Sequence, residues 1–173
     1  MKDTSAKYLN NSMNSQRRGG GVSMNKEVII LVADDDEGHA GLICKNLARA
    51  GITNELMRFK DGQEIINFLF SKGEGPHRKH GNAYFLLLDI RMPKIDGTEV
   101  LRLIKSDTEL KKMPVVMITT TDDPREVAYC HELGCSNYIT KPVEYDNFVN
   151  AIRQLGLFLS VVQIPELNGK THD

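Results

Sequence analysis

The sequence is poor in features that would set it outside ordinary single-domain proteins. Cysteine is scarce: Cys44, Cys130 and Cys135 are the only ones in 173 residues. An odd, sparse set without a C-x-x-C pair argues against a disulfide framework and against a zinc site made from cysteines alone. Long apolar runs are absent. No segment approaches the ~20 apolar residues of a membrane span, and the N-terminus has no apolar core of a signal peptide. Charge of one sign is also missing. The net charge is −1, from 22 basic and 23 acidic residues, so no overall field favours nucleic acid or anionic lipid. These absences leave a soluble chain with neither a nucleic-acid nor a membrane partner, expected in the cytoplasm by default.

Residues 1–25 are polar, lack an apolar period and end near Gly19-Gly20-Gly21, which reads as a disordered extension or an expression remnant. From Val28 the pattern becomes regular. Val28–Val32 is a continuous apolar run of the kind a strand buried on both faces requires. Positions 40, 43, 44 and 47 then follow helical spacing, and Gly51 marks a stop. A weaker strand over 54–59 precedes Asp61-Gly62-Gln63-Glu64, an N-terminal capping pattern, and a helix using Ile65, Ile66, Phe68 and Leu69. Residues 72–82 read as an exposed loop, including His77-Arg78-Lys79-His80. The His-x-x-His spacing lacks a third ligand, which favours a solvated loop over a metal site.

Tyr84–Leu88 is the next buried strand, and Asp96-Gly97-Thr98-Glu99 repeats the cap before a helix using Val100, Leu103 and Ile104. Val115–Ile118 is a further strand. Asp123-Pro124 opens another helix with proline at its favoured first position. Asn137–Thr140 is a short strand, and the last helix uses Phe148, Ile152, Leu155 and Leu159. Strands alternating with helices imply βαβ crossovers, hence a doubly wound α/β fold: a five-stranded parallel sheet and five helices. The flavodoxin-like order 2-1-3-4-5 suits that number. The expected domain spans 26–156, and 157–173 is a C-terminal tail. Its apolar stretch Leu157–Ile164 is expected to extend the fifth helix or to lie at a homodimer interface.

In such sheets ligands bind beyond the carboxyl ends of the strands. Asp34-Asp35-Asp36 follow the first strand, Asp89 the third, Thr119-Thr120-Thr121 the fourth and Lys141-Pro142 the fifth. Strand order would bring them to one pocket. Clustered carboxylates repel unless a cation joins them, and Mg²⁺ prefers few carboxylates, several waters and a phosphate oxygen. A hydroxyl and an ammonium alongside suit phosphoryl oxygens, and one aspartate can act as nucleophile. The triple aspartate leaves two readings of the acidic pair, Asp34/Asp35 or Asp35/Asp36. The apolar run ending at Val32-Ala33 favours the first, with Asp36 capping the helix.

At these residues the chain resembles bacterial response-regulator receivers. Leu31–Asp36 is similar to their acidic-pair motif, Leu88-Asp89-Ile90-Arg91-Met92-Pro93-Lys94-Ile95-Asp96-Gly97 to their phosphoacceptor motif, Val116–Thr120 to their switch-threonine strand, and Tyr138–Pro142 to their switch aromatic and Lys-Pro pair. The resemblance covers residues 26–155 and implies a stand-alone, chemotaxis-regulator-like receiver in two-component signalling. It implies that Asp89 is phosphorylated, that Asp35, Asp89 and the Arg91 carbonyl ligate Mg²⁺ with Asp34 acting through water, and that Thr119 and Lys141 bind the phosphoryl oxygens. It further implies that Thr119 and Tyr138 form the switch, that Lys141-Pro142 is cis, and that Arg91 and Thr121 tune phosphoryl lifetime. The implied partners are a sensor histidine kinase, a downstream protein target and a second copy meeting through helix 4, strand 5 and helix 5. The single-domain layout, the 72–82 loop and the tail look like regulators paired with phytochrome-type kinases.

Three other readings compete. A haloacid-dehalogenase-type phosphohydrolase wants Asp-x-Asp followed by Thr or Val, and neither Asp89-Ile90-Arg91 nor Asp34–Gly38 supplies it. A degenerate, unphosphorylated receiver would lack a key position, and none is missing. A fused DNA-binding output would need more chain than follows residue 156.

Overall fold

The computed structural model describes residues 28–168, and the expected N-terminal extension lies outside them. Six strands and five helices alternate: β1 Val28–Ala33, α1 Glu37–Arg49, β2 Leu56–Phe59, α2 Gly62–Phe70, β3 Asn82–Leu88, α3 Gly97–Ser106, β4 Val115–Thr119, α4 Pro124–Leu133, β5 Asn137–Thr140, α5 Tyr145–Leu159 and β6 Glu166–Leu167. The main sheet runs β2-β1-β3-β4-β5, all parallel. No described helix is long and apolar enough to cross a membrane.

Strand alternation divides the core in two. Leu31, Ala33, Leu86, Leu88, Val115 and Met117 face one layer, with Ile65, Leu69, Val100, Ile104 and Cys130 from α2, α3 and α4. Val28, Ile30, Val32, Phe85, Leu87, Val116 and Ile118 face the other, with Ile43, Leu47, Ile152 and Leu155 from α1 and α5. Both faces of the central strands are therefore buried, which is why they read as unbroken apolar runs. The caps follow the sequence. Asp36, Asp61 and Asp96 each accept from the backbone N–H three residues on, and Asp123 accepts from Arg125.

Beyond residue 156 the chain does something the pattern did not announce. α5 runs to Leu159, and the chain then turns back so that β6 pairs antiparallel with the start of β3, Leu167 opposite Asn82. Register explains the opening. β1 meets β3 from Ala83, but β4 joins only at Leu86, so one edge of β3 is free at Asn82-Ala83. Leu167 is completely buried there, at the end of the sheet opposite the strand carboxyl termini. Leu157, Phe158 and Val161 stay exposed.

The 72–82 loop is tied back onto α2. Arg78 donates from Nε to the Leu69 carbonyl at 2.7 Å, and His77 Nε2 lies 3.2 Å from the Gly73 carbonyl. One implied feature is corrected: no described peptide bond is cis, Lys141-Pro142 included. The trans form is the ordinary preference at X-Pro by about 0.5–1 kcal/mol.

Candidate functional site

The carboxyl ends of β1, β3, β4 and β5 deliver Asp34, Asp89, Thr119 and Lys141 to one place. All four are buried, at 4%, 7%, 0% and 7% exposure. Asp34, Asp35 and Asp89 each offer a carboxylate oxygen within 4.8 Å of the others. Asp35 is the exposed member. Asp36 points elsewhere: it caps α1, accepting from the His39 N–H at 2.9 Å. The acidic pair in the cluster is thus Asp34/Asp35.

Lys141 neutralises part of this charge. Its ammonium lies 2.7 Å from Asp34 Oδ2 and 3.6 Å from Asp89 Oδ2. Asp34 Oδ1 also accepts from the Asp36 N–H at 3.0 Å. Burial pushes the Asp89 carboxyl above the usual range; the Lys141 ammonium opposes that shift and the Asp34 carboxylate adds to it. A carboxylate so placed gains from a further cation. The Thr119 hydroxyl is fully buried and finds no hydrogen-bond partner of good geometry among the described residues, although it stands close enough to Asp89 to favour that carboxylate, so the site holds a polar group able to take a further partner.

The loop after β3 is fixed by close packing. Gly97 donates to the Ile90 carbonyl at 2.8 Å, and a Cβ at Gly97 would stand 2.0 Å from the Asp89 carbonyl oxygen. Lys94 takes a left-handed φ of 67° and reaches the α2 cap, its ammonium 2.7 Å from Asp61 Oδ2. The Arg91 side chain is exposed and pairs with Glu126 of α4 at 3.0 Å. Tyr138 is half-buried against the core, and its hydroxyl donates to the Thr121 carbonyl at 3.0 Å. Burial, with Glu126 nearby, pushes its phenol up to about 12.

One neighbour escaped the sequence reading. His39, in the first turn of α1, places Nδ1 3.4 Å from the Lys141 ammonium. A half-exposed histidine in a helix carries no signal of that contact, which arises only when α1 and the end of β5 meet. A cleft of about 220 Å³, lined by Asp34, Glu37, Arg58, Phe59, Lys60 and Glu64, borders the site at Asp34.

The response regulator receiver domain family model matches residues 30–153. The chain belongs to the response regulator receiver domain family. A receiver domain from Rhodospirillum rubrum is 48% identical, covers 82% of this chain and 99% of its own, and superposes with a TM-score of 0.76. Response regulator Rcp1 of Synechocystis is 32% identical over 82% of this chain and 95% of its own. Its Mn²⁺-bound structure gives a TM-score of 0.71 at 30% identity, covering 79% and 98%. The phosphorylated cyanobacterial phytochrome response regulator RcpA gives 0.71 at 31% identity, covering 79% and 97%. This receiver is therefore a module of two-component signalling with single-domain relatives, some of them phytochrome-associated, and its acidic cluster fits a divalent cation.

Proposed function

We propose that this receiver accepts a phosphoryl group on Asp89 from a sensor histidine kinase, with Mg²⁺ as cofactor. The observation that carries the reading is the juxtaposition of the Asp89 carboxylate with the Lys141 ammonium at 3.6 Å, two further carboxylates and a buried Thr119 hydroxyl. Asp35, Asp89 and the Arg91 carbonyl would hold the ion directly, and Asp34 through water. When bound, the ion would neutralise the clustered carboxylates and the charge on the incoming phosphoryl group.

The remaining chemistry belongs to the chain. An Asp89 carboxylate oxygen attacks phosphorus; the bond from phosphorus to the donor imidazole nitrogen breaks, and that nitrogen keeps the electron pair. Lys141 and Thr119 donate to the phosphoryl oxygens. Catalysis is mainly positioning and charge neutralisation. Hydrolysis of the acyl phosphate resets the protein, so this is a signalling device that catalyses its own modification rather than a turnover enzyme. As Thr119 moves toward the phosphoryl group, Tyr138 follows, and the face of α4, β5 and α5 changes its population of states.

A downstream protein reads that face, and the expected setting is the cytoplasm. The relatedness to Rcp1 and RcpA supports a phytochrome-type kinase as donor. Tyr129, Val143 and Tyr145, and separately Leu157, Phe158 and Val161, are exposed apolar residues on which self-association would rest. The test is incubation with acetyl phosphate and Mg²⁺, read by intact mass. Gain of one phosphoryl group, lost in Asp89→Asn and without Mg²⁺, is expected. No gain in the parent protein refutes the proposal and favours a receiver that works unphosphorylated.

A further inference from the structure

The Lys141 ammonium is buried and has three N–H donors to place. Asp34 takes one at 2.7 Å, and Asp89 lies in reach of a second at 3.6 Å. Among the described residues its third polar neighbour is His39, whose Nδ1 is 3.4 Å away. We infer that His39 is a positioning residue for Lys141: its neutral ring presents the Nδ1 lone pair to the ammonium and steadies it between Asp34 and the phosphoacceptor. This inference rests on the phosphotransfer reading above.

An ammonium has no lone pair to offer, so Nδ1 can face it favourably only as an acceptor, with the ring proton on Nε2. The residue is anchored by its backbone N–H, which donates to Asp36 Oδ1 at 2.9 Å. Asp36 Oδ2 is the competing acceptor that would draw a proton to Nδ1, but at 3.9 Å it stands beyond hydrogen-bond reach and farther off than the Lys141 ammonium at 3.4 Å. The Phe148 ring of α5 stands against the imidazole with centroids 6.4 Å apart. His39 thereby links α1, the end of β5 and α5 at the one side chain that must turn from Asp34 toward a phosphoryl oxygen. When a cation and a phosphoryl group compete for Asp34 and Asp89, His39 is the neighbour of Lys141 that neither claims.

Two variants separate acceptor chemistry from bulk. His39→Asn keeps an acceptor close to the Nδ1 position, whereas His39→Leu fills the space without one. Both leave the Asp36 cap, which uses the backbone. With acetyl phosphate and saturating Mg²⁺, His39→Leu should lower the maximal rate of acyl-phosphate formation by roughly threefold to tenfold, with little change in the phosphodonor KM. His39→Asn should restore most of it. A His39→Leu rate equal to the parent's, or His39→Asn as slow as His39→Leu, overturns the inference. A second readout does not need phosphorylation: ¹⁵N correlation spectra of the imidazole in the metal-free full chain. The Nε2–H tautomer is expected, and an Nδ1–H tautomer overturns the inference. Should the parent protein fail to label at all, the phosphotransfer reading falls, while the tautomer still decides this one.

Discussion

Replacing Gly97 with alanine sets two effects of opposite sign against each other. Gly97 is the first residue of α3, and alanine is the better helix former by up to about 1 kcal/mol. On propensity alone the variant would be stabilised. The added Cβ, however, would stand 2.0 Å from the Asp89 carbonyl oxygen and 2.8 Å from the Asp89 carbonyl carbon and the Ile90 Cα. All three are backbone atoms, so no side chain can swing away. Gly97 is also tied to Ile90 by a 2.8 Å hydrogen bond. Relief requires an ångström or more of backbone movement at the end of β3. Overpacking of this kind costs about 1–3 kcal/mol, which exceeds the helical gain. A net loss of about 1–2 kcal/mol should lower Tm by roughly 3–6 °C in a domain of this size. Urea unfolding with an unchanged m-value measures it. The displaced loop carries Asp89, so phosphorylation by acetyl phosphate should slow as well. Gly97→Ala as stable as the parent would refute the packing argument.

Four further outcomes follow from the same structure. Lys141→Met leaves the buried Asp34 carboxylate without its counter-charge, and should cost about 3 kcal/mol of metal-free stability. Mg²⁺ should recover part of that loss in a thermal melt, and an undiminished Tm without metal would contradict the pairing. Lys141→Ala should also uncouple phosphorylation from changes on the α4–β5–α5 face, read by amide chemical shifts. Asp89→Asn should be more stable than the parent at neutral pH without metal. The folded carboxyl is shifted upward, so the folded state binds the proton more readily and loses stability as pH rises from the ordinary aspartate range through the raised value. The difference between the two proteins should close as pH falls below that window; a gap that widens on acidification contradicts it. Leu167→Ala should cost about 2–4 kcal/mol by opening the seam under β3, and a neutral effect would mean that β6 is not docked.

Much of this architecture was readable because it depends on local patterns. Val28–Val32, Tyr84–Leu88 and Val115–Ile118 are apolar throughout, since helices cover both of their faces. Asp36, Asp61, Asp96 and Asp123 announced helix starts because each cap is made within two or three residues of its own position. The acidic cluster was legible through strand order, which turns distant strand ends into neighbours. What stayed hidden depends on register and on contacts between remote residues. β6 has two residues, and it exists because β4 begins too late to cover Asn82 and Ala83. The His39–Lys141 contact joins positions 102 apart, and the Arg91–Glu126 pair joins β3's loop to α4. No periodicity encodes either. The expected cis Lys141-Pro142 bond came from family resemblance alone, and the structure has it trans.

The proposed signalling role depends on Asp89 being the group that takes the phosphoryl transfer. Borohydride reduction of protein treated with acetyl phosphate and Mg²⁺ converts an aspartyl phosphate to homoserine, and peptide mapping then locates the altered residue. Homoserine at position 89 alone is the predicted result. Homoserine at Asp34, Asp35 or elsewhere, with residue 89 recovered as aspartate, would contradict the account.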